Sequence, residues 1–137
     1  MSIPIAELPA LLQNMAPKMN PGEYVFATLD GSSTIDIRDM VASIREAEGL
    51  SVVLEAAVAG RHGMAMDNRF AWITLTVLSD LQAVGLTAAF ASALGREGIS
   101  CNVVAGHCHD HIFVPIAQAD AAMAALRALQ QSALAAS

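Results

Sequence analysis

Apolar residues alternate along 70–78, with Ala71, Ile73, Leu75 and Val77 on one side and Trp72, Thr74, Thr76 and Leu78 on the other. One face is wholly apolar and the other mixed, which predicts a central strand. The stretch from about 81 to 96 is apolar nearly all round. Val84, Ala88, Ala91 and Leu94 lie along one side and Leu86, Phe90 and Ala93 along another, so a helix with more than one neighbour is expected. Gly98 supplies its stop. Two further strands are predicted over 99–105 and 112–116. A helix over 117–131 follows, with Ala119, Met123, Leu126 and Leu129 or Gln130 near one face, and the alanine-rich tail is expected to fray. Strand, helix, strand, strand, helix is most of a split βαβ unit of ferredoxin type. A closing strand is needed, from 24–29 or from a partner subunit.

The front half repeats the theme less clearly. Leu8, Leu11, Leu12 and Met15 predict a short helix over 5–15, with Pro9 in its first turn, ended by Pro17 and Asn20-Pro21-Gly22. Residues 24–29 read as a strand stopped by Asp30-Gly31-Ser32-Ser33. The runs 41–46 and 50–55 flank Ala47-Glu48-Gly49 as a hairpin. A short helix over 56–64, broken at Gly60 and Gly63, precedes the central strand. No linker is long or polar enough to separate the halves, so they are expected to pack as one body of class α+β.

Composition changes this picture in two ways. With 55% hydrophobic and 15% charged residues in a chain of 137, apolar surface is expected to be buried between subunits as well as within one. No apolar run reaches the length of a membrane span, and no secretory leader is visible, so a cytoplasmic, homodimeric or larger protein is expected. The formal charge of -6, with seven scattered Lys and Arg, argues against nucleic acid. In a reducing cytosol Cys101 and Cys108 are expected as thiols. The methionines at 15, 19, 64, 66 and 123 are read as packing.

Two stretches carry candidate chemistry. At the strand-to-helix corner, the unpaired N–H groups of a first helical turn around Ala83, Val84 and Gly85 would receive a carboxylate. Gly85 would let the ligand come close, Asp80 would pair with an ammonium group or cap the helix, and Asn102 would reach the same ligand. The alternative is that Ser79 or Asp80 only caps the helix. The second stretch is Gly106-His107-Cys108-His109-Asp110-His111. His107, Cys108, His109 and His111 have the chemistry of zinc or copper ligands. The glycine instead suggests a hairpin turn that scatters them into hydrogen bonds, with Cys101, His107, His109, Asp110 and His111 as candidates for lining a pocket or interface. Cys108 between two histidines has the composition of a nucleophilic site, but on a strand it points away from its flankers, so an enzyme is not expected.

Several stretches resemble the ACT domain superfamily, and in particular small, stand-alone, tandem ACT-like bacterial proteins of uncertain function. They are Pro21-Gly22-Glu23-Tyr24-Val25-Phe26, 48–55, 83–91, 98–106 and His109-Asp110-His111-Ile112-Phe113-Val114. The resemblance implies tandem ferredoxin-like βαββαβ units with an antiparallel sheet, divided as 1–69 and 70–137. It also implies a non-catalytic regulatory or sensor function without a cofactor. The ligand it implies is a small molecule, an amino acid, expected to be held by Ser79, Asp80, Leu81, Ala83, Val84, Gly85 and Asn102, with any regulatory output expected to pass through an unidentified protein partner or a change of assembly. Leu78-Ser79-Asp80-Leu81-Gln82 departs from the expected His-Ser-Ser-Leu-Glu, and His107-Cys108 stands where relatives carry aromatics. The competing readings are a metal-binding protein or metal-dependent enzyme using the histidine cluster, and a purely structural assembly module.

Overall fold

Strand β5 (Phe70–Leu75) lies at the centre of the computed structural model, which describes residues 7–136. Around it the chain forms α1 (Leu8–Asn14), β1 (Pro17–Met19), β2 (Tyr24–Leu29), β3 (Met40–Glu46), β4 (Gly49–Glu55), α2 (Ala56–Arg61), α3 (Leu86–Arg96), β6 (Asn102–Ala105), β7 (Asp110–Pro115) and α4 (Ala119–Ala135). The sheet runs β3-β4-β2-β5-β7-β6, and β1 also pairs with β5. Every pairing is antiparallel.

The missing closing strand is β1, which the sequence pattern hides. Pro17 reads as a helix stop, yet it opens three residues that pair with Ile73, Thr74 and Leu75. From β2 only Tyr24 joins this side of β5, opposite Phe70, so β1 and the start of β2 lie end to end along one strand. β5, α3, β6, β7 and α4 with β1 make a complete split βαβ unit. β2, β3, β4, α2 and β5 make a second, whose first helix is reduced to a 3-10 turn at Ile37–Asp39. The two units share β5, so the halves form one α+β body with a continuous sheet.

The β3–β4 hairpin appears as predicted. Gly49, at φ 146°, is demanded by its neighbours, because a Cβ there would stand 2.6 Å from the Leu29 carbonyl oxygen. Helix α1 carries its proline in the first turn, and residues 5 and 6 of the predicted helix lie outside the described residues. Gly60 falls inside α2 rather than breaking it. Strand β5 ends at Leu75 rather than Leu78, although Thr76 still gives its N–H and Oγ1 to the Ala16 carbonyl at 3.1 and 2.8 Å, one step past the last β1–β5 pair. The tail expected to fray continues as helix to Ala135, tied to α1 by Gln13 Nε2 to the Ala133 carbonyl and Gln130 Nε2 to the Gln13 carbonyl.

All four helices cover one face of the sheet. Leu11 and Met15 from α1, Phe90 and Leu94 from α3, and Met123 and Leu126 from α4 bury Ile73, Leu75, Ile112 and Val114. α2 covers Val25, Val52 and Leu54 farther along the same face. Among the described residues the other face carries no helix. Its aromatic rings pack on one another, and Phe26 and Phe113 meet at 5.4 Å although β5 separates their strands. The sheet therefore curls, concave on the side away from the helices.

Candidate functional site

The corner after β5 is built by local hydrogen bonds and one glycine. The Ser79 N–H reaches across to the Cys108 carbonyl at 3.2 Å, fixing the loop against the β6–β7 turn. Asp80 Oδ1 accepts the Gln82 N–H at 2.7 Å, and its carbonyl accepts the Ala83 N–H at 3.0 Å. Such an aspartate turn satisfies its own backbone and delays the helix. Helix α3 consequently starts at Leu86 rather than near Leu81, and Asp80 does not cap it. Gly85 occupies the capping position at φ 102°, and the first intrahelical bond is Ala89 N–H to the Gly85 carbonyl at 2.9 Å. The unpaired first-turn N–H groups thus belong to Leu86, Thr87 and Ala88, not to Ala83, Val84 and Gly85. Nor does Gly85 open space for a ligand. Leu8 of α1 fills that space, its Cδ2 lying 2.9 Å from where a Cβ would stand.

A cleft of about 110 Å³ lies between this helix start and the β6–β7 turn, with Ser79, Asp80, Ala83 and Thr87 on one wall and Gly106, His109 and Asp110 on the other. Leu81 also lines it, whereas Val84 points into solvent, 83% exposed. Asn102 stands at the far end of β6, where its Nδ2 donates to the Phe113 carbonyl at 3.2 Å and it borders a separate depression beside Arg69 and Phe70. A four-residue strand is enough to carry it away from the corner. Cys101 packs half-buried against the core under the helices, and burial pushes its thiol pKa up.

The Gly106 turn scatters the histidine cluster. The Gly106 N–H closes the turn on the His109 carbonyl at 2.9 Å. His107 and Cys108 are exposed at the tip. His109 Nδ1 lies 2.9 Å from the Val77 carbonyl, an acceptor only, so that nitrogen carries the proton and ties the two walls together. Asp110 faces the cleft and His111 the opposite, concave side of the sheet. There the Trp72 indole N–H donates to His111 Nδ1 at 3.0 Å, which makes that nitrogen the acceptor, and Thr74 Oγ1 stands 3.0 Å from it. Burial lowers the His111 pKa, helped by repulsion from His109 and opposed by Asp110. Burial raises the Asp110 pKa against the attraction of His111 and His109.

This geometry separates the candidate metal ligands. Among the described residues, no group of three or more His, Cys, Asp or Glu side chains is placed to hold a metal ion. His107 and Cys108 stand in solvent, and His109 commits its Nδ1 to the Val77 carbonyl. What the cleft does present is a helix start and the Thr87 hydroxyl facing the carboxyl groups of Asp80 and Asp110. Leu86 and Thr87 escaped the sequence reading as lining residues because it began the helix about five residues early, and Ala105 and Gly106 did so because only the pairing of β6 with β7 brings them opposite that helix start.

ACT-domain family models match residues 4–71 and residues 69–128 in tandem. A Vibrio cholerae protein of unknown function, described as a possible transport protein, is 48% identical over 87% of this chain and 92% of its own, with a TM-score of 0.75. An Agrobacterium tumefaciens protein is 20% identical over 83% of this chain and 87% of its own, with a TM-score of 0.59. The aspartate kinase of Clostridium acetobutylicum is 10% identical over 82% of this chain and 33% of the kinase, with a TM-score of 0.56. The last two likenesses are of fold alone. No match is found among curated proteins.

Proposed function

The chain belongs to the ACT domain family, and from that premise we propose that it is a non-catalytic regulatory or sensor protein that binds a small molecule, an amino acid, in the cleft between α3 and the β6–β7 turn. ACT domains are known for ligand-binding regulation, and the division proposed for the two is 1–69 and 70–137, with β1 of the first half completing the second unit and β5 shared between them. The observation that carries the reading is the pairing of opposite charge preferences across one small space. First-turn N–H groups of α3 and the Thr87 hydroxyl favour a carboxylate, while Asp80 and Asp110 favour an ammonium group.

The cleft is smaller than the roughly 300 Å³ at which ligand pockets usually begin, so one subunit supplies only part of the wall. Leu81, 66% exposed, and Val84 stand beside it as apolar surface for a second subunit. On this proposal the protein works as a homodimer or larger assembly in the cytoplasm. Among the described residues no helix is long and apolar enough to cross a membrane. A ligand shifts only equilibria whose two states it binds differently, so regulation works through assembly or a protein partner.

A thermal-shift screen against the amino acids at high millimolar concentration tests the proposal. A ligand at about 100 times its dissociation constant stabilises by roughly 2.7 kcal/mol. Thr87 is exposed, so Thr87→Arg should fold normally and lose the shift. No shift with any amino acid would count against a sensor, and assembly indifferent to every one would favour a structural module.

A further inference from the structure

The curl of the sheet makes a cavity, larger than the corner cleft, on the face away from the helices. It brings Val104 of β6 near Ala42 and Ile44 of β3, although these strands lie at opposite ends of the sheet order. The space measures about 330 Å³, within the range of ligand pockets, and is three times the corner cleft. Val53 and Phe26 complete the apolar wall. Phe26 stays 46% exposed, and its ring is held by edge contacts to Phe70 at 5.2 Å and Phe113 at 5.4 Å, so it cannot simply collapse inward.

We propose that this cavity is a small-molecule site for an organic cation, a protonated amine on an apolar body. Glu46 is the one charged residue among those lining it, and its carboxylate is oriented by the Ser51 hydroxyl across the β3–β4 hairpin. An aromatic ring and a carboxylate beside an apolar wall are complementary to an ammonium group carrying a hydrophobic substituent. Arg45 lies next in the chain and points to the other face, as strand alternation requires, so it does not neutralise Glu46. No Lys, Arg or His lines the cavity to receive a carboxylate, and the chain's net charge of -6 opposes one further. A free amino acid, with its own carboxylate, is therefore disfavoured here, which separates this site from the corner.

The test is a titration of the whole chain, followed by amide NMR, with 2-phenylethylamine, neutral 2-phenylethanol and anionic phenylacetate at pH 7. The amine should give saturable shifts at Ile44, Ser51 and Val104. Glu46→Gln should weaken it roughly tenfold, to the level of the alcohol. Glu46 is exposed, so the variant should keep a folded spectrum, and Ile44→Trp fills the cavity from an exposed position should Glu46→Gln fold poorly. Loss of binding in Ile44→Trp supports the site. The proposal is overturned if the alcohol or phenylacetate matches the amine, if no saturable shift appears by millimolar concentration, or if the shifts centre on Thr87 and Asp110.

Discussion

The two ferredoxin-like units differ most at the corner after their first strand. After β5, a turn around Asp80 leads to Gly85 and eleven residues of helix. After β2, Asp30 Oδ1 accepts the Ser32 N–H at 2.8 Å, and Asp36 Oδ1 accepts the Arg38 N–H at 2.8 Å, so the chain meets its backbone needs in successive turns and makes only the 3-10 turn at Ile37–Asp39. The consequence is twofold. The front corner has no helix start to face a ligand, and the front core rests on α2 with Ile35, Met40, Met64 and Met66 filling in from loops and a strand end. The back core has three helices, one of them borrowed from the front of the chain. An ACT-like unit can lose its first helix and keep its sheet, but it loses with that helix the electrostatic half of a binding corner.

The largest test of this contrast concerns the borrowed helix. Phe90→Ala should cost about 3–5 kcal/mol and Leu11→Ala about 2–5 kcal/mol in urea unfolding, as fully buried residues of one core. A cost for Leu11→Ala well below that range would mean that α1 is not part of the back unit. The corners themselves come next. Gly85→Ala combines a left-handed backbone with a clash against Leu8 and should cost about 1–3 kcal/mol. Gly31→Ala at the front corner meets nothing within 4 Å and should stay within about 0.5 kcal/mol of wild type.

The smallest expected effects are in pH dependence. Burial raises the Asp110 pKa, so the folded chain keeps a proton that the unfolded chain releases, and stability falls as pH rises from about 4 through the raised value. His111 is lowered by burial, so the unfolded chain takes up a proton that the folded chain refuses, and stability falls as pH drops below about 6.5. Urea midpoints across pH should lose the first slope in Asp110→Asn and the second in His111→Gln. Asp110→Asn should also weaken the amino acid response at the corner, whereas His111→Gln, on the other face, should spare it.

Much of this architecture was legible because it is written in local periodicity. The strand at 70–75, the hairpin around Gly49, the last helix and the packing role of the methionines follow from side-chain alternation, turn residues and apolar spacing. Strand β1 was not legible, since three residues opened by proline have no period of their own and are made a strand by β5. The helix start was misplaced because Leu81 and Val84 continue the apolar pattern, while the Asp80 turn and the seat of Leu8 over Gly85 decide otherwise.

For the candidate sites the division is sharper. The sequence by itself determined that Asp80 and a helix start would stand near the corner, and that a glycine turn would break up the histidines. Only the tertiary structure decided that Thr87 and Asp110 share the cleft, that Asn102 and His111 do not, and that a curled sheet brings Phe26 and Glu46 to the lining of one cavity. The reason is physical. Residue types and spacing follow the chain, but a site is a convergence of side chains from distant segments, set by register, strand direction and curl, which no single segment encodes.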